Sequence, residues 1–554
     1  MTDSNSMLTR RRFLKASIAV AGAAALPLGH AGVQGLSAAP ASSIAKYTRY
    51  NVMSEGGQKA LASYAKGVEA MLKLPPDHPQ NWFRNAFIHL MDCPHGNWWF
   101  SVWHRGYLGY FEQTIRNLSG DNTFAMPYWD WTTLPQIPDA MFNGVLTPQG
   151  SGFEPYTRNL AVFTSLLQPA LTKHWNSLNP AQLEQLKIRG YTSFELLWND
   201  VTGYSPASQS GISGNIAYAT PCGSRYLTRD NPKFDAKTAY DVSPFIIRSG
   251  LQPKDFYNDD IKLSFCSSKT ESHNIQPNGA TQFSTLEGLP HNKVHNYIGG
   301  VGPLDPGPYG NMTNFLSPVD PIFFLHHANM DRLWDIWTRK QKSLKLPYLP
   351  TGHDLQILSN EPFLFFVKGN GEPVGNSRAE EYFSTDRFDY VYESGFGETI
   401  FEGPAIQSLT KFSMPHVNGT VEGNTALVTI PSAAIKNHLA VGGGSALMAE
   451  VTLPWPSAVS YERDFDVIVG APKEVTQVGA DSPYYAGTIA FFGKMAHMKD
   501  MPSDARFSIP LPKAPEAFKT LELVENVSVN IRVVPSQGGQ IAPMLKGVSV
   551  RTLE

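Results

Sequence analysis

Apolar positions recur at helical spacing through the first part of the chain and at strand spacing towards its end. Leu61, Tyr64, Ala65, Val68 and Leu72 predict an amphipathic helix over residues 58–72, closed before Pro75–Pro76. From His104, the positions Tyr107, Leu108, Phe111 and Ile115 follow at i+3, i+4, i+7 and i+11, which puts His104 on a buried helical face. A further stripe, Phe323, His327, Met330, Trp334 and Trp337, begins just after Asp320–Pro321. That pair is a good helix start, a side-chain cap followed by a proline whose missing N–H is not needed there. A second register through Ile322, His326, Met330, Leu333 and Trp337 is also amphipathic, so periodicity leaves open which of His326 and His327 turns inward. Residues 135–285 are punctuated by Pro, Gly, Ser and Asn, with one helical interval at residues 180–199. Beyond residue 425 the texture changes to NTALVTI, ALMAEVTL, DFDVIVG, GTIAFFG, FSIPL and SVNIRVV, short β-rich runs separated by turn residues. The pattern predicts a mainly α core followed by an all-β, sandwich-like C-terminal domain. The expected boundaries are 1–40 for a signal peptide, 41–395 for the core, 396–425 for a linker and 426–554 for the β-domain.

The N-terminal Thr9–Lys15, TRRRFLK, fits the bacterial twin-arginine export pattern, and the apolar run Ala16–Leu28 after it is too short to span a membrane. Export to the periplasm or the cell exterior is expected. No other segment approaches eighteen consecutive apolar residues, so no membrane association is expected once the signal is removed.

Composition narrows the choice further. A chain of 554 residues, 42% hydrophobic and 17% charged, is globular and long enough for two or three domains. A net charge of −3 gives no electrostatic reason to expect nucleic acid as a partner. The three cysteines, Cys93, Cys222 and Cys266, exclude a disulfide scaffold, and Cys222 and Cys266 stay open between a bridge and two thiols.

The candidate chemistry lies in the histidines. His291 and His295, four apart, stack on one helical face and can grip one metal ion. His326 and His327 follow on the next helix, and His89, His95 and His104 form an earlier cluster, with His95 in a loop that Pro94 and Gly96 keep non-helical. All-imidazole ligation suits copper, zinc, iron or nickel and argues against magnesium or calcium. A zinc hydrolase with three histidines and a water is one reading, and spacing separates neither copper from zinc nor one site from two.

These two segments resemble the copper-binding regions of the tyrosinase, catechol oxidase and haemocyanin family. A histidine, a loop histidine and HRxxLxxFE match His89, His95 and His104 with HRGYLGYFE, and HNxxH then DPxFFLHHxNxDRxW match residues 291–295 and 320–334. The resemblance implies a helical bundle around a pair of copper ions held by His89, His95, His104, His291, His295 and His327, with O2 as co-substrate. It makes His327, four before Asp331, the ligand of the pair, with His326, Asp331 and Phe323 supporting it. It implies a thioether between Cys93 and His95, and a water held by Glu287 and Asn292 that takes the proton of an incoming phenol. Tyr390-Val391-Tyr392 resembles the tyrosine motif that closes the core. The β-domain resembles the one that covers the copper cleft in long plant polyphenol oxidases, with residues 493–501 as the segment offering a plug. The implied activity is ortho-hydroxylation of monophenols such as tyrosine and oxidation of catechols such as DOPA to o-quinones, with a ring slot beside His295 and around Met312–Phe315. A catechol or o-aminophenol oxidase without monophenolase activity and a haemocyanin-like oxygen carrier share the same ligands. A homo-oligomer is compatible with the sequence.

Overall fold

The structure is a computed structural model; it describes residues 45–202, 225–303, 309–398, 413–440, 446–456, 462–493, 503–518, 525–537 and 542–553. The signal peptide, Cys222 and all of the 493–501 segment except Gly493 lie outside these residues. No helix among them is long and apolar enough to cross a membrane.

Four helices carry or flank the histidines. Helix α1 (Glu55–Lys73) starts at Ser54, whose side chain accepts from Gly57 N. Helix α2 (Trp82–Asp92) starts at Asn81, whose side chain accepts from the Phe83 and Arg84 amides. Helix α3 (Phe100–Ser119) packs on α1 and ends at Gly120, whose positive φ of 75° gives the left-handed C-terminal turn. In the punctuated middle region the single expected helix is two, Pro180–Ile188 and Phe194–Thr202, because Gly190 takes φ 104° and breaks the run. Helix α4 (Leu160–Ser177) precedes them with a proline in its interior, Pro169, and a weak apolar stripe, which hid it from periodicity. Helix α5 (Asn292–Gly299) follows a wide turn at Glu287–His291 and ends at Gly300 with φ 107°. Helix α6 (Ile322–Ser343) begins as expected after Asp320–Pro321, with Asp320 Oδ1 accepting from Ile322 N at 3.0 Å.

Helix α6 is clamped at Asp331. Its carboxylate accepts from Arg105 Nε at 2.7 Å, Arg49 Nη1 at 2.8 Å, and the hydroxyls of Tyr390 and Tyr392 at 2.5 Å each. Burial alone would raise the Asp331 pKa, but Arg105 and Arg49 outweigh it and hold the carboxyl below its ordinary range. Arg49 ends strand β1 (Tyr47–Arg49).

The C-terminal part is a two-sheet sandwich. A short core strand, β2 (Thr281–Phe283), and the strand β3 (Tyr390–Tyr392), which runs parallel to β1, precede it. The sandwich strands are β4 (Val417–Asn418), β5 (Thr420–Glu422), β6 (Thr425–Pro431), β7 (Ala446–Pro454), β8 (Asp464–Val469), β9 (Tyr485–Ala490), β10 (Asp504–Pro510), β11 (Asn526–Pro535) and β12 (Gly547–Leu553). One sheet runs β9-β8-β11-β6-β5 and the other β2-β10-β7-β12-β4, so a strand of the core joins the second sheet in parallel with β10. On β6, Ala426, Val428 and Ile430 face the sandwich core while Leu427 faces water. Strands β8 and β9 are buried at every position, because their second face lies against the helical core. A helix, Ser432–Leu439, interrupts the β-rich texture between β6 and β7.

Candidate metal centre

Seven buried or half-buried histidines meet at the junction of α2, α3, α5 and α6. His89, His95 and His104 form one group, and His291, His295, His326 and His327 a second, with the ligand-type atoms of each group within 4.8 Å of one another. The groups face each other: the His104 and His327 rings stack at 4.2 Å, and the His95 and His291 rings lie 5.7 Å apart. The two sequence clusters are therefore one site.

Backbone carbonyls set the ring orientation. Nδ1–H donates to Phe315 O in His89, to Phe100 O in His104 and to Met312 O in His295, each at 2.7 Å. His291 Nδ1 donates to Asn292 Oδ1 at 2.9 Å. With Nδ1 protonated, each Nε2 keeps a lone pair directed into the site. His89 Nε2 then lies 3.3 Å from His104 Nε2, and His295 Nε2 lies 3.2 Å from His327 Nε2. Between His89 and His104, where both protons sit on Nδ1, two lone pairs at that separation call for a cation. His95 Nε2 and His291 Nε2 are buried without a hydrogen-bond partner, which is costly for a polar atom that holds nothing. Burial first, and neighbouring imidazoles after it, push the His89, His95, His295 and His327 pKa values well below the ordinary range. Burial also takes His104 and His291 down to about 3, so the rings are neutral donors, the form a metal takes.

His326 differs. Trp131 Nε1 donates to its Nδ1 at 3.1 Å, which leaves the proton on Nε2 in the neutral ring. His327 instead packs on Phe323 at 4.1 Å between ring centres. The Trp131 contact was not readable from the sequence, since nothing ties a tryptophan in MPYWDWT to a histidine almost two hundred residues on.

The loop that carries His95 is fixed from several sides. Gly96 takes φ 68°, and a Cβ there would meet Thr281 Cγ2 at 2.5 Å. Its amide donates to Glu287 Oε1 at 2.6 Å, and Ser267 Oγ donates to Glu287 Oε2. Burial pushes the Glu287 carboxyl up to about 7, against the lowering effect of these two bonds. Cys93 Sγ stands 3.3 Å from His95 Nδ1 as a buried thiol raised to about 12 by burial, and Cys266 is likewise a buried free thiol. Arg189 donates to the carbonyls of Leu90 and Cys93 at 2.9 and 2.8 Å. Asp92, next to Cys93, accepts from Trp103 Nε1 at 2.8 Å and faces His273 Nε2 at 2.9 Å, while His273 Nδ1 faces Glu361 at 2.5 Å.

The β-domain reaches the site directly. Phe492, two residues past β9, lies 4.2 Å from the His295 ring, 5.1 Å from His95 and 5.5 Å from His291. Around it, Asn292 Nδ2 donates to Ala490 O at 2.9 Å, Asn296 Nδ2 to Asp464 Oδ1 at 2.8 Å, and Lys293 Nζ pairs with Asp464 Oδ2 at 2.5 Å. The side chains of Glu287 and Asn292, expected to hold a water together, each have other partners here and share no hydrogen bond; the Asn292 backbone N–H donates to the Glu287 carbonyl.

An all-imidazole set of two facing groups defines a dinuclear metal centre. Residues 77–340 match the common central domain of tyrosinase, and residues 7–27 match the twin-arginine translocation signal sequence. The chain is 26% identical over 434 residues to a chloroplastic polyphenol oxidase of Malus domestica (74% of this chain, 56% of that one). It is 24% identical over 383 residues to a tyrosinase of Hahella sp. (strain CCB-MM4), covering 63% and 64%, and 31% identical over 194 residues to Hemocyanin 2 of Megathura crenulata, covering 33% and 5%. These matches span less than two thirds of the relatives' own lengths. Latent apple tyrosinase superposes with a TM-score of 0.50 at 18% identity over 93% of this chain and 98% of that one. Latent aurone synthase gives 0.51 at 17% over 92% and 90%, so the shared fold takes in the β-domain as well as the helices. Residues 77–340 thus carry the common central domain of tyrosinase, and the C-terminal β-domain shares its fold with the latent enzymes. The cofactor of the tyrosinase family is a pair of copper ions, and the converging Nε2 atoms, those of His95 and His291 unpartnered, fit it. The signal directs export by the twin-arginine route.

Proposed function

We propose that this chain is a copper phenol oxidase that hydroxylates monophenols at the ortho position and oxidises catechols to o-quinones, and that its β-domain keeps it latent. The observation that carries the reading is the convergence of the two imidazole groups beneath one phenylalanine of the β-domain. His89, His95 and His104 would hold one copper, and His291, His295 and His327 the other. Bound copper supplies the redox chemistry with O2. The chain's own residues do the rest.

The phenol ring would enter where Phe492 now sits, over the His295 ring and against Phe315, which lies 5.7 Å from Phe492. Phe492 therefore occupies the slot as a substrate mimic. Glu287, raised to about 7, is poised to hold a proton near neutral pH. A small cavity of about 20 Å³ beside it, bordered by Ser101, Ser267 and Ser284, has room for one water to carry that proton. Asn292 orients His291 through Nδ1 and spends an amide N–H on Ala490 O. Withdrawal of the β-domain would thus open the slot and free that N–H for the water in one step. This second use of Asn292 favours monophenol hydroxylation over the catechol-only alternative, which needs no such base.

Oxygen uptake by the copper-loaded wild type and Glu287→Gln, with a monophenol and with a catechol, tests the reading. Monophenol turnover should fall at least tenfold more than catechol turnover, within the usual range for loss of a general base. Equal losses, or uptake with catechol alone in the wild type, would leave a catechol oxidase.

A further inference from the structure

On α2, five residues before His89, Arg84 is buried at 5% exposure, yet its guanidinium donates to none of the described residues. Its Nη1 has no hydrogen-bond partner. Holding a guanidinium largely out of water without a counter-ion is unfavourable. Burial alone lowers its pKa, to about 10, with no carboxylate opposing. Arg84 lines a cavity of about 260 Å³ that contains none of the copper-site histidines. Two aromatic and two aliphatic side chains, Phe365, Phe366, Leu364 and Val367, form its apolar wall. His174 completes the polar end, with Nε2 also buried and unpartnered, and is held at about 2 by burial and then by the charge of Arg84. The one carboxylate on the lining, Asp77, is taken up at the surface by Lys173 at 2.6 Å.

We propose that this cavity binds a small monocarboxylate with a compact apolar body. A carboxylate can accept two parallel N–H bonds from Arg84, the geometry a guanidinium fork is built for. The second lone pairs lie within the same polar end as His174. The apolar wall favours an organic acid over phosphate or sulfate, and the volume, just under the ~300 Å³ floor for drug-sized pockets, limits the body to one ring or a short chain. The cavity is separated from the copper ligands by Trp103, against which Phe366 packs at 5.3 Å and which packs in turn on His104 at 5.1 Å. The assignment does not depend on the copper chemistry.

Isothermal titration of the full-length, copper-loaded chain with cyclohexanecarboxylate, which cannot present a phenol to copper, tests it. Saturable one-to-one binding is expected, weakened at least about tenfold in Arg84→Met, the scale of a lost charge-assisted pair. Cyclohexylmethanol, the same body without charge, should bind as weakly to the wild type. Should Arg84→Met fail to fold, Val367→Trp decides: it fills the apolar end with Arg84 intact and should abolish binding. No saturable binding by the wild type would mean that water alone solvates Arg84, and overturns the proposal. Binding that survives Arg84→Met or Val367→Trp places the acid elsewhere, the copper cleft included, and also overturns it.

Discussion

Replacing His273 by Gln removes a buried cation held between two carboxylates. Its ring nitrogens lie 2.9 Å from Asp92 and 2.5 Å from Glu361, and all three side chains are buried. Burial lowers the His273 pKa, but Asp92 and Glu361 together outweigh it and raise the ring to about 9 from an ordinary 6.5. A shift of that size amounts to about 3 kcal/mol of stability. Because the folded pKa is the higher one, this contribution is fully present below about pH 6.5 and is lost as pH rises through about 9. Glutamine carries no charge and donates only from its amide nitrogen, so His273→Gln should lose about 3 kcal/mol more at pH 6 than at pH 9.5, where the imidazole is itself neutral. Denaturant unfolding of both proteins across that range measures the difference. Since Asp92 also fixes Trp103 and adjoins Cys93, the variant should load less copper at pH 6 as well. A constant gap between the two proteins over the whole pH range would refute a charged His273.

Four further substitutions probe the copper site and its lid. His104→Ala or His327→Ala should reduce bound copper below two ions per chain, counted by atomic absorption, and abolish oxygen uptake; full copper and activity would remove either ligand. Lys293→Met leaves Asp464 buried without its cation and should weaken the β-domain's hold, a change of 3–5 kcal/mol in general for a broken buried pair; higher activity and faster proteolysis of the β-domain are the expected readouts, and unchanged activity would argue against an interdomain latch. For Glu287, burial raises the folded pKa to about 7, so the carboxyl lowers stability as pH climbs from its unfolded pKa towards 7. Glu287→Gln should remove that loss, and monophenol turnover of the wild type should rise with pH through about 7.

Much of the site was legible because metal ligation demands particular side chains at particular spacings. His291 and His295 share a face of α5 simply because they are four apart, and His104 and His327 sit on apolar stripes that had to be buried. What the stripes left open, His326 against His327, turns on neighbours that periodicity does not show: Trp131 Nε1 donates to Nδ1 of His326, and Nε2 of His327 meets His295. The carbonyls of Phe100, Met312 and Phe315 that orient the rings were invisible, since any residue offers the same acceptor. Phe492 lay one residue before the segment suspected of supplying a plug; an FF pair at the end of a strand reads first as sheet core, and Phe491 is just that. The alternation of β6 and β11 announced a sandwich, whereas β2, three residues inside the core sequence, gave no sign that it would complete the second sheet. Arg84 gave none either, because an arginine in a first helical turn usually faces water.

The most direct test is oxygen uptake by the copper-loaded full-length chain and its Phe492→Ala variant with a catechol. Removing the ring above His295 should open the slot while the six histidines stay in place. We expect two copper ions per chain in both proteins, low uptake by the wild type and uptake at least about tenfold higher in the variant, the effect of making a buried site accessible. Two bound coppers with no uptake by either protein would contradict a phenol oxidase. Equal, rapid uptake by both would contradict latency through Phe492.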